Sequence, residues 1–124
     1  VDFQFDWLVY VRIDLDFLAP HPPLSLMALV KPVGMWLPDT DDFGGLYDRW
    51  AVLPRKMAKS YFYQMQSLFD GSALHLYERE LLADGNSTRQ NTLNHERMLL
   101  LHLRRHRIWP HRIHRFLTTA AIFS

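Results

Sequence analysis

The stretch Asp6-Trp7-Leu8-Val9-Tyr10-Val11-Arg12-Ile13-Asp14-Leu15-Asp16 carries the fold assignment. Trp7 to Val11 is an aromatic and β-branched run that continues through Arg12 and Ile13. Its apolarity is continuous rather than alternating, which predicts a strand covered on both faces, as in the parallel or mixed sheet of an α/β protein. Carboxylates in the middle of such a strand would be costly, so Asp14 and Asp16 are expected at its exit. In extended backbone, residues two apart point the same way, and the two carboxylates should then converge.

Outward from this strand, Pro20-His21-Pro22-Pro23 rules out a regular helix or a central strand and reads as a loop beginning at Ala19. Leu24 to Val30 is apolar and suits a short helix or strand, and Val33 to Leu37 reads as a second strand ended by Pro38-Asp39. A flexible acidic turn, Thr40 to Gly45, follows. Pro54 suits the first turn of a helix whose core stripe is Met57, Tyr61, Met65 and Leu68, stopped by Asp70-Gly71. A second helix is predicted over Ala73 to Ala83, with Leu74, Tyr77 and Leu81 on one side and Asp84-Gly85-Asn86 as its exit. After a polar loop from Ser87 to Asn91, Asn91 or Asn94 caps a third helix that runs to about Arg105. Ile108-Trp109 reads as a short strand, and Ile113 to Phe123 is ambiguous.

The chain has 124 residues, 48% of them apolar and 14% aromatic, enough for one modest core and too apolar for disorder. A net charge of +1 gives no global field that would imply nucleic acid or an anionic membrane as partner. Charge is uneven, acidic up to Asp48 and strongly basic from Arg104 to Arg115. The absence of cysteine excludes thiolate metal sites, cysteine nucleophiles and disulfides. No apolar run approaches the roughly 20 residues needed to span a bilayer. The strand-like start without methionine leads us to expect a preceding segment, or a processed mature form.

Three constellations carry chemistry. Asp14-Leu15-Asp16 suits Mg²⁺ or Mn²⁺, hard cations that take carboxylate and phosphate oxygens and leave positions for substrate. Asp-x-Asp is a weak pattern alone, and the strand before it strengthens the reading. In Asp42-Phe43-Gly44-Gly45-Leu46-Tyr47-Asp48-Arg49-Trp50-Ala51, Gly44 and Gly45 permit close backbone approach or positive φ. Asp48 suits orienting or deprotonating a hydroxyl, and Arg49 suits pairing with Asp48 or with phosphate oxygens. The plainer reading of this segment is a turn closed by an Asp-Arg pair. Glu96 shares a helical face with Leu99, Leu100 and Leu103, where a carboxylate needs a donor, a cation or water. It suits an acceptor hydroxyl or a core arginine. A zinc site drawn from His102, His106, His111 and His114 is opposed by the surrounding arginines and lacks a carboxylate at ligand spacing.

With these motifs in order, the chain resembles a GT-A type glycosyltransferase-like family of eukaryotes and large viruses. The resemblance rests on Asp6 to Arg12 leading to Asp14 and Asp16, on Trp36-Leu37-Pro38, on Gly44 to Ala51, and on Asn94-His95-Glu96 opening a later helix. It covers most of residues 6 to 110. It implies an α/β, partial GT-A (nucleotide-diphospho-sugar transferase) fold with a mixed sheet flanked by helices. Residues 1–124 would be the C-terminal, metal- and acceptor-side portion of a single glycosyltransferase domain, without the N-terminal nucleotide-binding part. The implied activity is metal-assisted transfer of a sugar from a nucleotide-sugar donor to a hydroxyl of a saccharide or glycoconjugate acceptor.

Under that resemblance Asp16 is the preferred ligand of Mn²⁺ or Mg²⁺, with Asp14 as a further ligand or the partner of donor ribose or sugar. Gly44, Gly45 and Arg49 are donor-binding candidates, and Asp48, then Glu96, are the catalytic or acceptor-orienting ones. A Golgi location is implied if the whole protein carries a secretory signal or anchor, and a cytoplasmic one otherwise. Asn86-Ser87-Thr88 is a glycosylation sequon in the first case. Two other classes compete: a noncatalytic carbohydrate-binding or assembly domain of the same fold, and a small nucleic-acid-binding protein using the basic C-terminal region. No nucleic-acid motif supports the latter.

Overall fold

The computed structural model describes residues 4–17, 20–40, 42–84, 94–116 and 121–123. The Asn86-Ser87-Thr88 sequon, the loop from Ser87 and the alternative cap Asn91 lie outside them. The chain forms a small α/β domain with a mixed sheet flanked by helices.

Strands β1 (Trp7–Val11), β3 (Met35–Pro38), β4 (Trp50–Pro54) and β5 (Ile113–Phe116) make a sheet in the order β1-β4-β3-β5. β4 runs antiparallel to both neighbours, with Val52 opposite Val9 on one side and Trp36 on the other. β5 lies parallel to β3, Met35 beside Ile113 and Pro38 beside Phe116. A separate pair joins β2 (Leu15–Phe17) to β6 (Ala121–Phe123). The ambiguous C-terminal stretch therefore contributes to two sheets.

The strand expected to be covered on both faces is an edge strand, and Val9 is 45% exposed. The fully buried strand is β4, whose five residues Trp50 to Pro54 are all covered. Pro54 ends this strand rather than standing inside a helix. At the strand end, its lack of an amide hydrogen costs no ladder bond.

Side-chain alternation along the strands divides the apolar residues into two clusters. Leu37, Ala51 and Leu53 pack with Met57, Tyr61, Leu99 and Leu103 from the helical layer. Trp50 joins Leu15 and Tyr47 in the second, smaller cluster, with Val11 and Phe116 against it. Burying each large side chain in this way contributes about 1.5–3 kcal/mol before ordering entropy is set against it. The proline-rich loop is pinned from the Trp50 side. The indole Nε1 donates to His21 Nε2 at 3.3 Å, and His21 Nδ1 donates to the Pro22 carbonyl at 2.7 Å.

The helical layer follows α1 (Leu24–Met27), one short turn after the proline loop. The long helix expected to run to Asp70 is broken instead. A 3₁₀ turn, Arg55–Met57, leads into α2 (Ala58–Phe62), and Tyr63, at φ −92° and ψ 25°, separates it from α3 (Gln64–Phe69). The break changes the helical phase, so Ser67 faces inward while Met65 and Leu68 are 47% and 44% exposed. Helix α4 (Ser72–Asp84) begins where Asp70 accepts the Ser72 amide at 2.9 Å. Among its described side chains Ala73 is the buried one, and Leu74 is exposed, against the expected face.

Helix α5 (His95–Arg105) is capped by Asn94, whose side-chain oxygen accepts the Arg97 amide at 2.7 Å. It ends through Arg107 at φ 59°, which lets the Ile108 amide reach the Leu103 carbonyl at 2.9 Å. Ile108-Trp109 is thus the helix's terminating turn and not a strand.

Candidate functional site

The segment Asp42 to Arg49 is a loop folded on itself and braced against the start of α5. Asp42 accepts the Gly45 amide at its carbonyl (2.8 Å) and the Tyr47 amide at its carboxylate (3.0 Å). Its other carboxylate oxygen meets the guanidinium of Arg115, which also donates to the Pro38 carbonyl at 2.8 Å. Phe43 and Gly44 take positive φ, 47° and 82°. Asn94 Nδ2 donates to the Phe43 carbonyl (2.8 Å), and Arg97 donates to the Gly44 carbonyl (3.0 Å). The Leu46 amide donates to the Glu96 carbonyl at 2.9 Å. A β-carbon at Gly45 would lie within 2.3 Å of the Glu96–Arg97 peptide. What approaches this glycine closely is therefore the first turn of α5.

The exit of β1 meets the same loop, as the Arg12 amide donates to the Arg49 carbonyl at 3.0 Å. Arg49 is buried, its guanidinium 4.6 Å from the Tyr47 ring centre and 5.7 Å from that of Phe43, with Nε 3.9 Å from Asp48. Asp14 stands in the turn after β1 and is held by Arg12 in a two-point pair, Nε to Oδ1 at 3.0 Å and Nη2 to Oδ2 at 2.5 Å. Asp16 is exposed on β2, beyond that turn, so no single extended strand carries both carboxylates. Among the described residues no three His, Asp or Glu side chains are grouped around a common centre. Of the two carboxylates expected to hold Mg²⁺ or Mn²⁺, Asp14 is thus engaged by Arg12 and Asp16 stands apart on another strand.

A cavity of about 260 Å³ opens beside Asp48. Tyr10 from β1, Tyr61 and Phe62 from α2, and His95 and Met98 from α5 line it with Asp48. The three aromatic rings form one cluster. Phe62 stands edge-on to Tyr61 at 5.1 Å and to Tyr10 at 5.9 Å, and Tyr10 is 5.8 Å from Tyr61. Tyr61 is only 1% exposed, and its hydroxyl has no hydrogen-bond partner among the described residues. Burial, with Tyr10 and the Asp48 charge adding to it, pushes the Tyr61 hydroxyl's pKa well above the ordinary value. The group stays protonated. An orphaned buried hydroxyl is costly, on the order of 1–3 kcal/mol, and a ligand oxygen would relieve it.

The structure thus places Asp48 on a cavity and Asp14, Asp16, Gly44, Gly45 and Arg49 outside its lining. Glu96 is half-buried in the first turn of α5, and its neighbour His95 is the side chain that reaches the cavity. Tyr10, Tyr61 and His95 are not among the site residues expected from the sequence, although His95 belongs to the Asn94-His95-Glu96 motif. Helical spacing places Tyr61 on a core stripe and does not reveal that its hydroxyl lacks a partner. His102 is no metal ligand in this arrangement. Its Nε2 donates to the Ser60 carbonyl at 2.5 Å, and Nδ1 accepts the Ser67 hydroxyl. No family model, curated protein or solved structure matches the chain.

Proposed function

We propose that the chain holds a sugar hydroxyl in the Asp48 cavity and supplies the acceptor side of a glycosyltransferase with a partial GT-A fold. One observation carries this reading: Asp48 and Tyr61, whose buried hydroxyl has no partner among the described residues, line the same cavity. Saccharides offer hydroxyls that both donate and accept, and apolar C–H faces that pack on aromatic rings. A cavity with Tyr10 and Phe62 beside Asp48, Tyr61 and His95 matches both needs.

Asp48 accepts the hydrogen bond of the incoming hydroxyl and is placed to take its proton as the sugar is transferred. Tyr61 donates to a neighbouring oxygen and fixes the ring. His95, at the cavity rim, is a second polar contact. A divalent cation at Asp16 would offset charge on the leaving diphosphate of a nucleotide-sugar donor. The test is transfer from a panel of nucleotide sugars to saccharide acceptors with Mn²⁺ present, by the protein and its Asp48→Asn variant. Transfer that survives this substitution undiminished would remove Asp48 from the reaction.

A second reading, a noncatalytic carbohydrate-binding domain, is favoured by the two-point Arg12–Asp14 pair, which engages one of the two carboxylates expected to hold a cation. Saccharide binding without any transfer would select it.

A further inference from the structure

On the other side of α2 from the Asp48 cavity lies a larger cleft of about 550 Å³, walled by α2, α3 and the C-terminal half of α5. Its volume falls in the range of about 300–1,000 Å³ common to small-molecule sites. None of Asp14, Asp16, Asp48 or Glu96 lines it. Lys56 and Lys59 stand three residues apart on one wall, and Arg105 and His106 come from the other. Among the described residues that line it the one carboxylate is Asp70, whose pKa is held below the usual range chiefly by hydrogen bonds from the Ser72 hydroxyl and amide. Arg105 Nη1 lies 3.6 Å from Asp70 Oδ2 and donates to Ser72 Oγ at 2.7 Å. His102 and Ser67 form the floor, with both ring nitrogens of the histidine engaged.

Three permanent cations face one carboxylate here, so the cleft keeps a surplus of two positive charges with both histidines neutral. A concave site with that surplus attracts a multiply charged anion more than a single carboxylate. Lysine ammonium groups supply point charges for phosphate oxygens, and an arginine adds directional donors. We propose that this cleft binds a diphosphate group, as inorganic pyrophosphate or as part of a nucleoside diphosphate. It is a second site, independent of the saccharide cavity. Its walls put Lys59, Ser60 and Tyr63 on one side of α2, while Tyr61 and Phe62 face the other.

Calorimetric titration of the chain with pyrophosphate, and separately with ADP, tests the assignment. Both should bind at one site, more weakly as salt rises. Lys59→Gln combined with Arg105→Gln should weaken both by about tenfold or more. Asp70→Asn keeps an oxygen acceptor for the Ser72 amide but removes the opposing charge, and should tighten both ligands. An unfolded variant cannot show such a gain. ADP binding tighter than pyrophosphate assigns a nucleotide ligand, and equal affinities assign an inorganic one. No binding of either at millimolar concentration, or affinities unmoved by both the double substitution and Asp70→Asn, would overturn the proposal.

Discussion

A β-carbon on Gly45 would stand 2.0 Å from the carbonyl oxygen of Glu96. The obstacle is helix backbone, which cannot swing aside as a side chain would. Gly45→Ala should therefore cost about 3 kcal/mol, the upper part of the range for overpacking. Gly71 is the control. Its φ is +77° but nothing lies within 4 Å of an added β-carbon, so Gly71→Ala should cost only the backbone strain, about 1 kcal/mol. Urea unfolding of the two variants separates the effects, and equal losses would contradict the packing seen at Gly45.

Asn94 serves two elements at once, capping α5 through its oxygen and holding the Phe43 carbonyl through its nitrogen. Asn94→Asp keeps the cap and loses the second bond, at a cost of about 1 kcal/mol. Asn94→Ala loses both, so about 2 kcal/mol is expected. The same denaturation measurement should rank wild type above Asp above Ala.

Tyr61→Phe removes a buried hydroxyl with no partner while keeping the ring against Tyr10 and Phe62. Stability should rise by about 1 kcal/mol, because the desolvation penalty disappears. Saccharide binding should fall by about tenfold with the lost hydrogen bond. A gain in melting temperature with unchanged saccharide affinity would make the hydroxyl irrelevant to the site.

His102 makes stability depend on pH in a defined direction. Burial, the largest cause, lowers its pKa below the ordinary 6.5. The unfolded chain then takes up the proton first as pH falls. The contribution of neutral His102 is complete above about pH 6.5 and is lost on acidification toward the lowered folded value. Denaturation midpoints between pH 7.5 and pH 5 should fall for the wild type, with a shallower slope for His102→Gln.

How far these features were legible in the sequence depended on whether the signal was local. The Asp70-Gly71 stop lies where its residues predict, Asn94 is the cap of the two asparagines expected, and β3 overlaps the expected strand but starts at Met35 and includes Pro38. Trp50-Ala51-Val52-Leu53 is masked as a strand in the sequence by the Gly-Gly loop before it and the helix expected from Pro54. Its four apolar residues between Arg49 and Pro54 were the available signal. The edge position of β1 is a fact of pairing, and an unbroken apolar run carries no information about how many neighbours a strand has. Asp48 was readable as a candidate. Its cavity was not, because Tyr10, Tyr61 and His95 come together from β1, α2 and α5, three elements far apart in the sequence.

The most direct test is a saccharide titration of isotopically labelled protein, followed by amide and side-chain resonances. The account predicts saturable shifts centred on the cavity lining, Tyr10, Asp48, Tyr61, Phe62, His95 and Met98 among it, abolished in Asp48→Asn and reduced in Tyr61→Phe. Shifts absent from these residues across a broad saccharide panel, or present there and unaffected by Asp48→Asn, would contradict it.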